Sequence, residues 1–214
     1  MSDEPGIFEI MYTTRAMRRL KPDLVPEELL LRLIDAANQA PSGSNAQNQR
    51  WIIVREAGQK QKLAELNRAA VERYLAIQRA NALPVSGPTR TPDGRERLRS
   101  AVQWQADHMQ EIPALIIACL EFTRPPNDGF SAGAGAGGSI WPAVQNLLLA
   151  ARALGLGATP TTLGLSDRPA ARAVLGLSET VEPFCLVPVG YPMGRFGPVT
   201  RRPIDEVLRW DRWQ

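Results

Sequence analysis

The chain has 214 residues, 44% of them hydrophobic, with a formal net charge of +3 and a pI near 9.2. That length and apolar content suit a single domain, residues 1–214, with a sizeable core. A charge this small, with acidic residues interspersed almost throughout, argues against a nucleic-acid binder, which gathers its basic excess on one face.

Met1 to Gly6 is acidic and lacks an apolar h-region, so no secretory signal is expected. Pro26 is expected to open a helix running to about Ala40, with Glu27 and Glu28 at the positive end of its dipole. Leu30, Leu33, Ile34 and Ala37 recur at i, i+3, i+4 and i+7, one buried face, and Pro41 stops the helix. Trp51 to Val54 reads as a short strand, and Gly58 to about Ala82 as a helix with Leu63, Leu66, Ala70 and Tyr74 on one side. Pro84 to Gly94 carries three prolines and two glycines and reads as a mobile loop, a lid or not. A helix follows over about Arg95 to Glu111, then a nearly all-apolar strand, Ala114 to Phe122, expected to be central and buried on both faces.

Thr123 to Gly138 is a long Pro/Gly/Ala loop. Its Gly133 to Gly138 run lacks the Lys-Ser/Thr end of a P-loop and the spacing of a dinucleotide fingerprint, so it reads as a hinge. Ser139 to Gly155 is apolar nearly all round, as in a core or an oligomer interface. Gln145, Asn146 and Arg152 interrupt the longest apolar stretch, Ile140 to Leu156, so no membrane span is expected and the location is expected to be cytoplasmic. Ala158 to Thr162 reads as a short strand or extended turn, and Ser166 as the cap of a helix from Asp167 to about Leu175. Val181 to Val189 is another buried strand. The tail, residues 198–214, carries Leu208, Trp210 and Trp213 and should dock on something. Strands separated by helices suggest an α/β or α+β domain.

Few residues suit side-chain catalysis. Cys119 and Cys185 lie in apolar runs without a CxxC partner and read as buried thiols. His108, the one histidine, sits in a polar helical stretch, so neither a zinc site nor a Ser-His-Asp triad is expected. What stands out is Thr13-Thr14-Arg15-Ala16-Met17-Arg18-Arg19 together with Ala40-Pro41-Ser42-Gly43-Ser44-Asn45-Ala46-Gln47. The first can hold a phosphate through charge-assisted bonds. The second offers amides and hydroxyls to a planar polar ring.

Four segments taken together resemble the nitroreductase-like family of FMN enzymes: Thr14 to Leu20 with Val25-Pro26, Ala40 to Gln47 with Trp51, Gly138 to Gly157, and Val189-Gly190-Tyr191-Pro192 with Arg201-Arg202-Pro203. They occur in the family's order and span nearly the whole chain. The resemblance implies an α+β nitroreductase-like fold with a mixed central sheet flanked by helices. It implies an intertwined homodimer whose C-terminal tails exchange, with FMN at the interface. By the same match, Arg15, Ala16 and Arg18 are phosphate and ribityl contacts, with Arg19 beside them in either orientation. One or other of Arg201 and Arg202 closes over the phosphate. Pro41, Ser42, Gly43, Ser44, Asn45 and Gln47 belong to the loop that reaches the ring from the partner. Pro160, Thr161, Thr162 and Leu163 match the segment whose backbone N–H, at Thr162 or Leu163, faces flavin N5. Ala16 stands where many members have Ser, and Thr162 near where many have an acid.

The implied activity is a ping-pong transfer of two electrons from NADH or NADPH through flavin N5 to a small nitroaromatic, quinone or similar conjugated acceptor, with no nucleic acid or membrane partner and no catalytic side chain required. Members of the fold also dehalogenate iodotyrosines, cleave flavin or oxidise peptide azolines. A non-catalytic FMN carrier is the alternative from another class.

Overall fold

The structure is a computed structural model that describes residues 5–80, 91–126 and 137–213. The expectations for Met1–Glu4, for residues 84–90 of the proposed loop and for residues 133–136 of the glycine run lie outside the described residues.

A short helix that periodicity did not mark, α1 (Ile7–Thr13), begins the described chain. Next comes α2 (Glu27–Asn38). Pro26 is the residue ahead of it rather than its first helical residue, so its fixed φ sets the entry while Glu27 and Glu28 occupy the first turn. Strand β1 (Gln49–Val54) leads into α3 (Ala57–Arg79), which Glu56 caps by accepting from the Gly58 and Gln59 N–H groups. Helix α4 (Pro92–His108) is capped by the Thr91 hydroxyl and carries proline at its first position, three residues earlier than the sequence suggested. Strand β2 (Ala114–Glu121), α5 (Trp141–Ala153) and the two-residue β3 (Gly157–Ala158) follow. Helix α6 (Arg168–Leu175) is capped by the Asp167 carboxylate accepting from the Ala170 N–H, not by Ser166. Strand β4 (Val181–Gly190) and a four-residue helix at Ile204–Val207 complete the described elements.

The strands run in the order β1-β2-β4-β3. The resemblance implied a mixed sheet; the strand pairs described within this one chain are all antiparallel. Strand β2 is buried from Ala114 to Leu120, as a strand covered on both faces must be. Its alternation sorts the core into two layers. Ala114, Ile116, Ala118 and Leu120 face Leu30, Leu33 and Ala37 of α2 and Val144 and Leu147 of α5. Leu115, Ile117 and Cys119 face Leu63 and Ala64 of α3. One face of α5 is used inside the chain, by Ala143, Val144, Leu147 and Ala151, while Trp141 stays exposed and Leu148, Leu149 and Ala150 are only partly buried. Among the described residues no helix is long and apolar enough to cross a membrane.

Cys119 and Cys185 are free and buried, in the two opposite core layers. Burial pushes both thiols up to about 12, with the Glu182 charge adding at Cys119. In the unfolded chain they ionise near roughly 8.5. Between those values the unfolded chain binds fewer protons than the native one, so stability falls as pH rises through that window. Native protein at pH 8 should not react with a soluble disulfide reagent, whereas denatured protein should release two equivalents. Rapid labelling of the native state would contradict this burial.

Candidate functional site

The basic segment does not lie at a helix start. Residues 15–20 run between α1 and α2 in bridge-bonded, non-helical chain along the end of the sheet. The Met17 N–H donates to the Ala158 carbonyl at 3.2 Å, the Met193 N–H to the Arg19 carbonyl at 3.0 Å and the Lys21 N–H to the Tyr191 carbonyl at 2.8 Å. Met17 and Leu20 turn inward and are buried. A Cβ on Gly157 would stand 2.6 Å from Leu20 Cδ2 and 3.0 Å from Met17 Cβ, so glycine lets this segment lie against β3. Arg15, Ala16 and Arg19 are exposed and Arg18 is half-buried.

Arg18 is the informative residue. It makes no hydrogen bond and no ion pair among the described residues. Burial lowers its pKa below the ordinary arginine value, with Tyr74 of α3 acting in the opposite sense. A guanidinium remains charged even so. A desolvated cation without a counter-ion is costly, and an anion from outside the chain relieves that cost.

The second basic pair comes to the same region from the other end of the sequence. The Val199 N–H donates to the Tyr12 carbonyl at 3.0 Å, so Arg201 and Arg202 follow within three residues of a bond made just ahead of Arg15. Both are exposed, and Arg201 donates only to its neighbour's carbonyl on Thr200, at 2.9 Å. Arg152 of α5 holds the returning chain: its Nε donates to Thr13 Oγ1 at 2.8 Å, and its guanidinium lies 4.5 Å above the Phe196 ring. Arg19 diverges from this group, donating from Nη2 to Ser100 Oγ of α4 at 3.0 Å.

Pro160 to Leu163 cross the end of β3. Thr161 exchanges two backbone bonds with Leu186, at 2.8 and 2.9 Å, which uses its N–H. The Leu163 N–H donates to Thr161 Oγ1 at 3.3 Å. The Thr162 N–H makes no hydrogen bond among the described residues, and Thr162 is exposed. Leu163 packs with Val71, Tyr74 and Leu75 of α3. Helix α3 therefore brings Arg18 and the Thr162 turn to one side of the molecule.

Residues 41–47 are a strained loop. Ser44, Asn45 and Gln47 take φ of 51°, 52° and 47°, in the left-handed region. Such non-glycine residues cost on the order of 1–3 kcal/mol each unless their surroundings fix them. Here the Ser42 hydroxyl accepts from the Gln47 N–H at 2.9 Å, and the Ser139 hydroxyl accepts from the Gly43 N–H at 2.9 Å. The Ser139 carbonyl also accepts from Gln49 Nε2 at 3.0 Å. Ser44 and Asn45 remain exposed. The loop enters β1, one edge of the sheet, while Thr161 and Thr162 adjoin the other edge. Three inter-strand steps, about 14 Å, separate those edges. One chain thus brings Arg18 and the Thr162 turn to the α3 side and ties the approach to Arg201 and Arg202 to Tyr12, while Pro41 to Gln47 enter the opposite edge of the sheet.

Sequence reasoning missed Tyr74, Ser139 and Arg152. Tyr74 reads as one more apolar position on the α3 face, and the role of Ser139 depends on a contact 96 residues away. Nothing local marks either.

The comparisons with known proteins fit this geometry. The model of the Nitroreductase family matches residues 11–191. The chain is 31% identical to the NADH dehydrogenase of Thermus thermophilus, over 92% of this chain and 91% of that one. It is 30% identical to the iodotyrosine deiodinase of Thermotoga neapolitana, over 94% and 95%. A solved structure of oxidised iodotyrosine deiodinase bound to FMN and 3-iodo-L-tyrosine superposes with a TM-score of 0.73 at 23% identity, covering 97% of this chain and all of that one.

Proposed function

The chain belongs to the nitroreductase family, and from that membership we propose that it is a homodimeric FMN-dependent oxidoreductase. Bound FMN supplies two-electron transfer from NADH or NADPH to a nitroaromatic, quinone or similar conjugated acceptor. The single observation that carries this reading is the half-buried Arg18, which has no hydrogen bond or ion pair among the described residues.

The donor set fits the cofactor. Arg15 and Arg18, with Arg201 or Arg202, offer guanidinium forks to the phosphate. The Thr162 N–H is a preorganised donor for the ring edge, held by the Thr161–Leu186 bonds. Leu163 needs no such role, because its own N–H is taken by Thr161 Oγ1. Arg19, bonded to Ser100, is left out of the phosphate set. The exposed Ser44 and Asn45 would reach the ring from a second copy, the chain's own loop lying across the sheet from Thr162. A two-fold dimer of this kind makes two equal sites.

A yellow protein with a flavin spectrum, about one FMN per chain, that bleaches on anaerobic mixing with NADH or NADPH is the expected result. FMN retained without bleaching favours the carrier alternative, and a colourless preparation that takes up no FMN refutes the proposal. The similarity to the Thermotoga neapolitana deiodinase favours one further acceptor class, halogenated phenols. Iodide release from 3-iodotyrosine by the reduced protein separates that class from nitroaromatics and quinones.

A further inference from the structure

A cleft of about 450 Å³ opens between α3 and α4. Arg19, Arg79 and Arg99 line it together with Ser100, Gln103 and Trp104. Three guanidiniums share this lining with two carboxylates, Glu96 and Asp107, and are only partly neutralised by them. Arg79 has no hydrogen bond or ion pair among the described residues. Arg99 meets Glu96 only at 3.8 Å, and its buried Nε lacks any partner. Arg19 is spent on a neutral hydroxyl, Ser100 Oγ. Asp107, the other acid on the rim, accepts from Gln103 Nε2 at 3.0 Å. The Trp104 indole adds an aromatic surface, one side of which stacks on His108 at 4.4 Å between centroids.

We propose that this cleft binds the 2′-phosphoadenosine end of NADPH, so that Arg79 and Arg99, with Arg19, set a preference for NADPH over NADH. The inference rests on the oxidoreductase reading above. Its location follows from chain geometry. Arg18 and Arg19 are consecutive, as are Tyr74, which Arg18 senses, and Leu75, which lines the cleft. The cleft therefore adjoins the proposed FMN region. Its chemistry follows from the ligand. A 2′-phosphate is a compact dianion, and planar forks from two helices can grip it through paired bonds. Adenine is a flat ring with affinity for an indole or a guanidinium face. NADH lacks the phosphate and would leave Arg79 without a partner among the described residues.

The test is calorimetric binding of 2′,5′-ADP and of 5′-AMP to the FMN-loaded protein, which requires no turnover. The expected result is that 2′,5′-ADP binds at least tenfold tighter than 5′-AMP, and that this ratio collapses toward one in Arg79→Ala and in Arg99→Ala. Arg79→Lys, which keeps the charge but loses the fork, should retain only part of the ratio. The NADPH to NADH ratio of kcat/KM should fall by about tenfold in the alanine variants, as loss of a charge-assisted phosphate bond implies. FMN content measured in each variant reports whether the fold and the flavin reading survive. Wild-type protein that holds FMN yet binds the two nucleotides equally overturns the proposal and leaves the flavin reading standing. So does an aromatic carboxylate such as 4-nitrobenzoate binding there while 2′,5′-ADP does not, which would assign the cleft to the acceptor. A protein that takes up no FMN sinks the flavin reading instead.

Discussion

Arg18→Ala should lower FMN affinity by about 1.5–3 kcal/mol, the value of a hydrogen bond to a charged group, which is a factor on the order of 10 to 150 in Kd. The same variant should leave the FMN-free protein no less stable than its parent. Both parts follow from one fact: Arg18 holds a desolvated charge that no described residue neutralises. In the FMN-free state that burial opposes folding, so removing the guanidinium relieves it. In the loaded state the phosphate relieves it, so removing the guanidinium loses the bond. Fluorescence titration with FMN and thermal melts of both states separate the two effects. A purely structural Arg18 would lower the melting temperature with and without FMN alike. Unchanged FMN retention in both Arg15→Ala and Arg18→Ala would sink the assignment.

If the proposed homodimer and its FMN depend on the tail, deleting residues 204–214 should lose both together. Every residue from Arg201 to Trp213 is exposed in the single chain, with Trp210 at 80% and Trp213 at 84%. Ile204, Val207 and Leu208 share that exposure. A tryptophan that docks covers about 150–250 Å². At about 25 cal/mol per Å² that is worth up to ~4–6 kcal/mol each before the entropy of ordering the tail is subtracted. Helix α1 also exposes Ile7, Phe8, Met11 and Tyr12, and Val199 ties the start of the tail to Tyr12. An apolar helix face and an apolar tail beside one another are a surface a second copy can cover. Arg201 and Arg202 lie between that anchor and the docking residues, so losing the dock frees the phosphate ligands as well. Dimer and cofactor then stabilise one another by mass action. Sedimentation and flavin content, measured on the same truncated protein, should fall together. A truncated protein that stays a tight dimer with full FMN would show that the tail does neither job.

Much of the fold is legible in the sequence. Leu30, Leu33 and Ala37 announce the buried face of α2, and the unbroken apolar run from Ala114 announces a central strand. These signals survive because helix and strand periodicities are local and burial simply selects the face they define. The caps were less legible. Asp167 and Ser166 are both good capping residues one position apart, and only the backbone angles choose between them.

The site divides the same way. Which residue types recur, and in what order, is written in the chain: three arginines near residue 15, a small polar loop near residue 43, a basic pair at 201–202. What the chain cannot express by itself is which of them meet. Arg18 and Arg19 are neighbours of identical chemistry, yet one is half-buried beside Tyr74 and the other reaches Ser100 across α4. The sheet order sets the 41–47 loop on the edge away from Thr162. Those outcomes depend on contacts between residues far apart in the chain, such as Ser139 with Gly43, Arg19 with Ser100 and Met193 with Arg19. Sequence determines local propensity and chemical inventory, because both are properties of a few adjacent residues. Only tertiary structure decides desolvation and the pairing of charges, because both are set by what packs against each group from elsewhere in the chain.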